Sequence, residues 1–328
     1  MYHQPPRAAF RASRLTPTTF LIKEYDDVYS EHPHIYVKVD TQANTILIID
    51  TGCGGKSNDQ TIEVKSLRRF IETVAVDDNN GLPLNKGANM KYIIALTHCH
   101  YDHIYHFGQI IDAGSHSKDS IVLASGHSPS FLDKNVMPEH SLCKNLGINT
   151  PIFASTLVPH LYDIVSSHGG NHRLGVTILH TPGHTPDEIA LYDEADMMLY
   201  VGDTIYEWEP TIFPKEGSIV TWFSSMDFLI AFVKGKNEER KLSTQAKGSA
   251  TQVLVNSGHQ TALQPAVELL LAAKDYMQEV LDGKRSVTDR RWNRGEETVS
   301  YGKTGNRFSL RCPARLIREA REGQKITA

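Results

Sequence analysis

Residues 97–103 read THCHYDH, which places His98, His100, Asp102 and His103 within six positions. Neutral imidazoles and carboxylates are the donors that zinc favours, and they also serve iron and manganese. Where a strand is extended, positions i and i+2 project to the same side. His98 and His100 can therefore reach one cation together, and Asp102 and His103, after a turn, can reach a second. A carboxylate can bridge two cations about 3.5–4 Å apart. Residues of the same types recur downstream: His184 in TPGHTPD, Asp203 in LYVGD and His259 in NSGH. An isolated histidine says little, but these seven all lie where apolar runs end.

Those runs are the elements that must position them. YIIAL (92–96) reads as a buried strand ending at the histidine cluster, and IYVKV and TILIID (35–39 and 45–50) read as a hairpin ending at Asp50-Thr51-Gly52. IVLAS (121–125), VTILH (176–180), IALYD (189–193), MMLYVGD (197–203) and QVLVNSGH (252–259) are further strand candidates. Apolar residues at helical spacing predict a helix over 64–74 and a second after Pro265, stopped by Gly283. A short helix is expected over 104–111, and another from Ser224 or Ser225 to about Lys234. The charge run KGKNEERK (234–241) reads as a solvated loop, and the last 45 or so residues as polar with one short strand, FSL. Strands alternate with helices, yet the first strands form a hairpin, so the class is α/β with mixed sheets.

The chain has 328 residues, 40% hydrophobic and 22% charged, enough for a large core. Its net charge of -4 argues against a nucleic-acid partner, which usually demands basic excess. Four scattered cysteines show no CxxC pair, which fits a reduced, cytoplasmic location. No signal peptide and no membrane-spanning run are expected. Residues 1–16 read as a flexible lead-in and 17–328 as a single domain, with an insertion at about 126–170. A small-molecule substrate is the expected partner. The oligomeric state stays open, with a homodimer through the insertion as one arrangement.

HCHYDH resembles the HxHxDH signature of the metallo-β-lactamase superfamily. TPGHTPD, LYVGD and SGH resemble its later metal motifs, and Asp50-Thr51-Gly52 resembles the turn that precedes the cluster; the motifs occur in family order over 35–259. The resemblance implies a four-layer αβ/βα sandwich holding two Zn2+, or alternatively Fe or Mn. It also implies His98, His100 and His184 on one ion, Asp102, His103 and His259 on the other, and Asp203 bridging. Asp50 would orient a ligand from behind, and Tyr206, three residues after Asp203, would face a substrate carbonyl. The implied activity is hydrolysis of a lactam, lactone, ester or thioester by a hydroxide bridging the metals. An iron-dependent oxidoreductase and a nuclease of the same fold are the alternatives.

Two departures stand out. A small pair, often Gly-Gly, usually follows the signature, whereas this chain has Ile104-Tyr105-His106-Phe107. Asp203 is not a cysteine, which separates the chain from the zinc β-lactamases whose second metal takes a thiolate and resembles the lactonase, glyoxalase II and thioesterase branches. Cys99 and Cys53 read as packing residues, and His32, His34, His106, His127, His168 and His172 as surface, cap or loop residues. Trp208, Phe213 and Trp222 read as core in preference to a pocket wall.

Overall fold

The computed structural model describes residues 6–106, 120–166, 172–243 and 251–327. The chain divides into two compact units, Met1–Val176 and Thr177–Ala328.

The first unit is built on a seven-stranded sheet in the order β1-β2-β3-β4-β5-β6-β7. Its strands are β1 (Phe10–Arg14), β2 (Thr19–Glu24), β3 (His34–Asp40), β4 (Thr45–Ile49), β5 (Lys91–Ala95), β6 (Ile121–Ser125) and β7 (Thr156–Val158). β1 to β4 pair antiparallel, and β4 to β7 pair parallel. The expected hairpin is thus β3–β4, and the sheet is mixed. Ile22, Ile35, Ile46, Ile48 and Ile94 are sealed in its core together with Leu67, Phe70 and Ile71 of α1 (Leu67–Thr73). Each such side chain contributes roughly 1.5–3 kcal/mol by leaving water. Ser66 caps α1 by accepting the Arg69 N–H at 3.3 Å.

Phe10–Arg14, inside the expected flexible lead-in, is instead the edge strand of this sheet. Buried Phe10 and the Arg14 bonds to Asp78 and Asn79 hold it there. The segment 126–170 contributes two short helices, Met137–His140 and Cys143–Leu146, and then β7 of the same sheet. β8 (Tyr162–Val165) turns back on the start of β9 (Arg173–His180) through the Ser166 N–H bond to the His172 carbonyl. Of the expected helix over 104–111, residues 107–111 lie outside the described residues. His168, Gly169 and Gly170 do so as well.

In the second unit β9 is followed by β10 (Ile189–Asp193), β11 (Met198–Tyr200), β13 (Leu254–Asn256) and β14 (Gln264–Pro265), in the sheet order β14-β13-β11-β10-β9. A separate four-stranded sheet joins β12 (Pro210–Ile212), β17 (Ser309–Pro313), β16 (Glu296–Tyr301) and β15 (Val287–Asn293). Three helices cover this unit's core: Ile219–Leu242, Ala266–Leu281 and Ala314–Thr327. The first is 24 residues long and begins earlier than expected, because Ser218 accepts the Thr221 N–H at 3.1 Å. It absorbs the expected loop KGKNEERK, whose Arg240 and Lys241 suit the negative end of the helix dipole. The second ends as expected, with Gly283 at φ +76°. The C-terminal region, expected as polar with one short strand at FSL, carries that strand as β17 and in addition β15, β16 and the last helix. Among the described residues no helix is long and apolar enough to cross a membrane.

Candidate functional site

In the first unit the candidates stand at the carboxyl ends of two adjacent parallel strands. Ile49 of β4 is paired with Ala95 of β5, and the Asp50 N–H continues the ladder to the Ala95 carbonyl at 3.0 Å. Asp50 then turns sharply, with φ +61°, a conformation that Asp and Asn tolerate better than most residues. The turn aims its carboxylate at the chain leaving β5. Oδ1 accepts the Thr97 N–H at 2.7 Å, Oδ2 accepts the Thr97 hydroxyl at 2.7 Å, and Oδ2 also lies 2.8 Å from His103 Nδ1.

This network assigns tautomers. A carboxylate acceptor requires the His103 proton on Nδ1, which leaves the Nε2 lone pair for a cation. Thr97 has one hydroxyl proton and gives it to Asp50. Towards His98 Nδ1, 3.1 Å away, the hydroxyl therefore accepts, so His98 too is protonated on Nδ1 and presents Nε2. That atom stands 3.0 Å from His100 Nδ1. His103 Nε2 stands 3.5 Å from Asp102 Oδ2. All four side chains are buried. A buried cluster of imidazoles and carboxylates is costly unless its members are paired or hold an ion.

In the second unit the candidates again follow strand ends. β11 and β13 run parallel, with Tyr200 opposite Asn256. Beyond them the Gly258 N–H reaches the Gly202 carbonyl at 2.6 Å, which brings Asp203 and His259 together, with His259 Nε2 3.5 Å from Asp203 Oδ2. His184, after β9, has Nε2 4.0 Å from the same oxygen. Its loop is held by the Ser218 N–H to the Gly183 carbonyl at 2.8 Å and by the Ser225 hydroxyl to the Pro182 carbonyl at 2.7 Å. A Cβ on Gly183 would stand 2.7 Å from the Trp222 backbone, so the loop packs directly on the helix there.

Tyr206 is buried, its ring edge-on to His259 with centroids 5.5 Å apart. Phe213 and Trp222 are core, as expected, whereas Trp208 is exposed, a correction. Trp208 has φ +71°, and its N–H is taken by the Arg307 carbonyl. Cys53 and Cys99 are buried, reduced packing residues.

Three participants escaped sequence reasoning. Thr97 relays between Asp50 and His98. Buried Glu188 accepts the Asp203 N–H at 3.0 Å; an acidic residue opening the apolar run IALYD was the available signal. His106, expected as a surface, cap or loop residue, is fully buried, with Nε2 3.4 Å from the buried carboxylate of Glu24. His34 is likewise buried, beside Tyr36.

Residues 36–272 match the family model described as the metallo-β-lactamase superfamily. A curated relative from Aspergillus versicolor, "Putative transcription factor avaE", is 30% identical over 321 residues, covering 95% of this chain and 89% of the relative. Among solved structures, a metallo-β-lactamase family protein from Thermus thermophilus aligns with TM-score 0.55 at 16% identity, over 85% of both chains. The DIM-1 metallo-β-lactamase aligns with TM-score 0.52 at 16% identity, over 85% of this chain and 100% of that one. Both show the fold.

Proposed function

Because the chain belongs to the metallo-β-lactamase superfamily, we propose that it is a hydrolase using two divalent metal ions, zinc in the first instance, to cleave a carbonyl substrate: a lactam, lactone, ester or thioester. His98, His100 and His184 would hold one ion, and Asp102, His103, Asp203 and His259 the other. The observation that carries the reading is the Asp50–Thr97 network, which fixes His98 and His103 with their Nε2 lone pairs presented. Orientation of a ligand histidine by a carboxylate behind it is the usual support of a metal site.

Ions bound there would acidify water to supply a nucleophile near neutral pH and would polarise a carbonyl. The chain's own residues supply the rest. Asp50 and Thr97 hold the imidazoles, and Glu188 fixes the Asp203 backbone. Tyr206, whose ring packs on His259, would donate its phenolic hydrogen to the oxygen that gains charge during attack.

The Aspergillus versicolor relative bears a transcription-factor name, but the charge of this chain does not favour a nucleic-acid partner. With 34 Lys and Arg against 38 Asp and Glu, the composition lacks the basic excess that drives phosphate-backbone binding. The test is turnover of a cyclic amide, a lactone, an aryl ester and an acyl thioester by the zinc-loaded protein and by Asp102→Ala. Hydrolysis of one class, lost in the variant, supports the reading. Cleavage of nucleic acid, or oxygen consumption by an iron-loaded protein with no hydrolysis, would replace it.

A further inference from the structure

Glu24 ends β2 and is 3% exposed. Its carboxylate is wrapped by the loop that follows Asp50: Oε1 accepts the Cys53 N–H at 2.6 Å, and Oε2 accepts the Gly55 N–H at 2.8 Å and the Cys53 thiol at 3.4 Å. Gly52, Gly54 and Gly55 all have positive φ, and the loop bends so that the Cys53 and Gly55 N–H groups both face one anion. A Cβ on Gly52 would collide with the Glu24 carboxylate. His106 closes the cluster, its Nε2 3.4 Å from Oε1 and its ring centred 5.1 Å from that of Phe10.

The same loop grips the histidine-bearing turn from its other side. The Thr51 N–H and hydroxyl reach the His103 carbonyl at 2.6 and 3.0 Å, and the Tyr105 N–H reaches the Gly52 carbonyl at 3.0 Å. The Tyr105 ring lies so close over Gly54 that a Cβ there would stand 2.5 Å from it. Residues 103–106 are thus clamped between the loop and Glu24. This gives a physical role to the departure Ile104-Tyr105-His106, since both Tyr105 and His106 are clamp contacts.

We propose that Glu24 and His106 are positioning residues for the metal-binding turn. Through the 52–55 loop they set the backbone of His103 and hence the aim of Asp102 and His103. The inference rests on the proposed metal-dependent function. Its effect is on metal affinity, not only on stability.

The test is zinc affinity of the metal-free full-length protein, measured by competition with a chromophoric chelator, for wild type, Glu24→Gln and His106→Gln. Circular dichroism verifies the fold of each. Thr45→Val, which removes a buried hydroxyl bonded to Ser166 elsewhere in the same unit, is the control for a purely structural loss. Glu24→Gln is expected to weaken zinc binding about tenfold or more with the fold retained, while Thr45→Val lowers the melting temperature and leaves zinc affinity alone. Unchanged affinity in a folded Glu24→Gln overturns the proposal. If that variant does not fold, His106→Gln decides, because it keeps both loop N–H bonds to Glu24; wild-type zinc affinity there overturns the proposal. A wild-type protein that binds no divalent metal refutes the function itself, whereas a wild type that binds zinc no better than folded variants refutes only the clamp.

Discussion

The carboxylate of Asp50 meets the imidazole of His103, 53 residues further along the chain: Oδ2 lies 2.8 Å from His103 Nδ1 while Oδ1 accepts the Thr97 N–H at 2.7 Å. Asp50→Asn keeps the shape and tolerates the same positive φ, but its amide can no longer accept from all three donors. Metal affinity is expected to fall roughly 10–100-fold with secondary structure intact. Chelator competition together with far-ultraviolet dichroism checks both halves. Asp50→Ala should add a further stability loss, because alanine resists that backbone conformation.

The loop carrying His184 depends on the absence of a side chain at Gly183. Gly183→Ala places a methyl 2.7 Å from the Trp222 backbone and must lift the loop from its helix. A destabilisation of about 1–3 kcal/mol is expected, accompanied by weaker metal binding. Denaturant unfolding and metal titration of the same preparation report the two effects.

Burial pushes the thiols of Cys53, Cys143 and Cys312 up, and the neighbouring Glu24 carboxylate adds to the effect at Cys53. Thiolate is the reactive form. Near pH 8, roughly the range where a free thiol begins to ionise, a thiol-disulfide reagent should therefore label the native protein slowly. All four cysteines should react promptly in guanidinium. Rapid labelling of native Cys53 would show that the 52–55 loop opens.

Alkaline stability should be governed in part by buried phenols. Burial raises Tyr92 and Tyr192, and pushes Tyr276 up to about 12 against the opposing charge of Arg285. The folded chain then keeps protons that the unfolded chain releases above about pH 10. That stabilisation is fully present below the unfolded value and is lost as pH rises towards about 12. Tyr276→Phe should flatten the alkaline limb of a stability–pH profile. It should also cost about 0.5–1.5 kcal/mol at neutral pH through the lost bond to the Tyr301 carbonyl.

Why some of this is legible in the sequence and some is not follows from the kind of signal each residue carries. Apolar runs such as YIIAL and IALYD announce strands, and metal-competent residues after them are visible because chemistry restricts their types. Gly283 marks a helix end by a local rule, whereas the start of α1 at its Ser66 cap falls two residues inside the span that apolar spacing predicts. The long helix Ile219–Leu242 runs past its expected end because its solvated last turns, KGKNEERK, carry no apolar period. β15 gives no strand signal because an exposed edge strand, VTDRRWN, buries too little to alternate. Phe10–Arg14 becomes a strand only by pairing with β2, and Glu24 gains its role only when a loop 29 residues away closes on it. His106 is opaque for the same reason: a lone histidine has no sequence feature that separates a buried carboxylate partner from solvent.

A two-metal hydrolase is tested first by elemental analysis of the purified protein, read beside its hydrolytic turnover. About two zinc ions per chain are expected, with turnover that disappears on chelation and returns on adding zinc. A protein that binds no divalent metal, or one iron per chain without hydrolysis, would contradict that function.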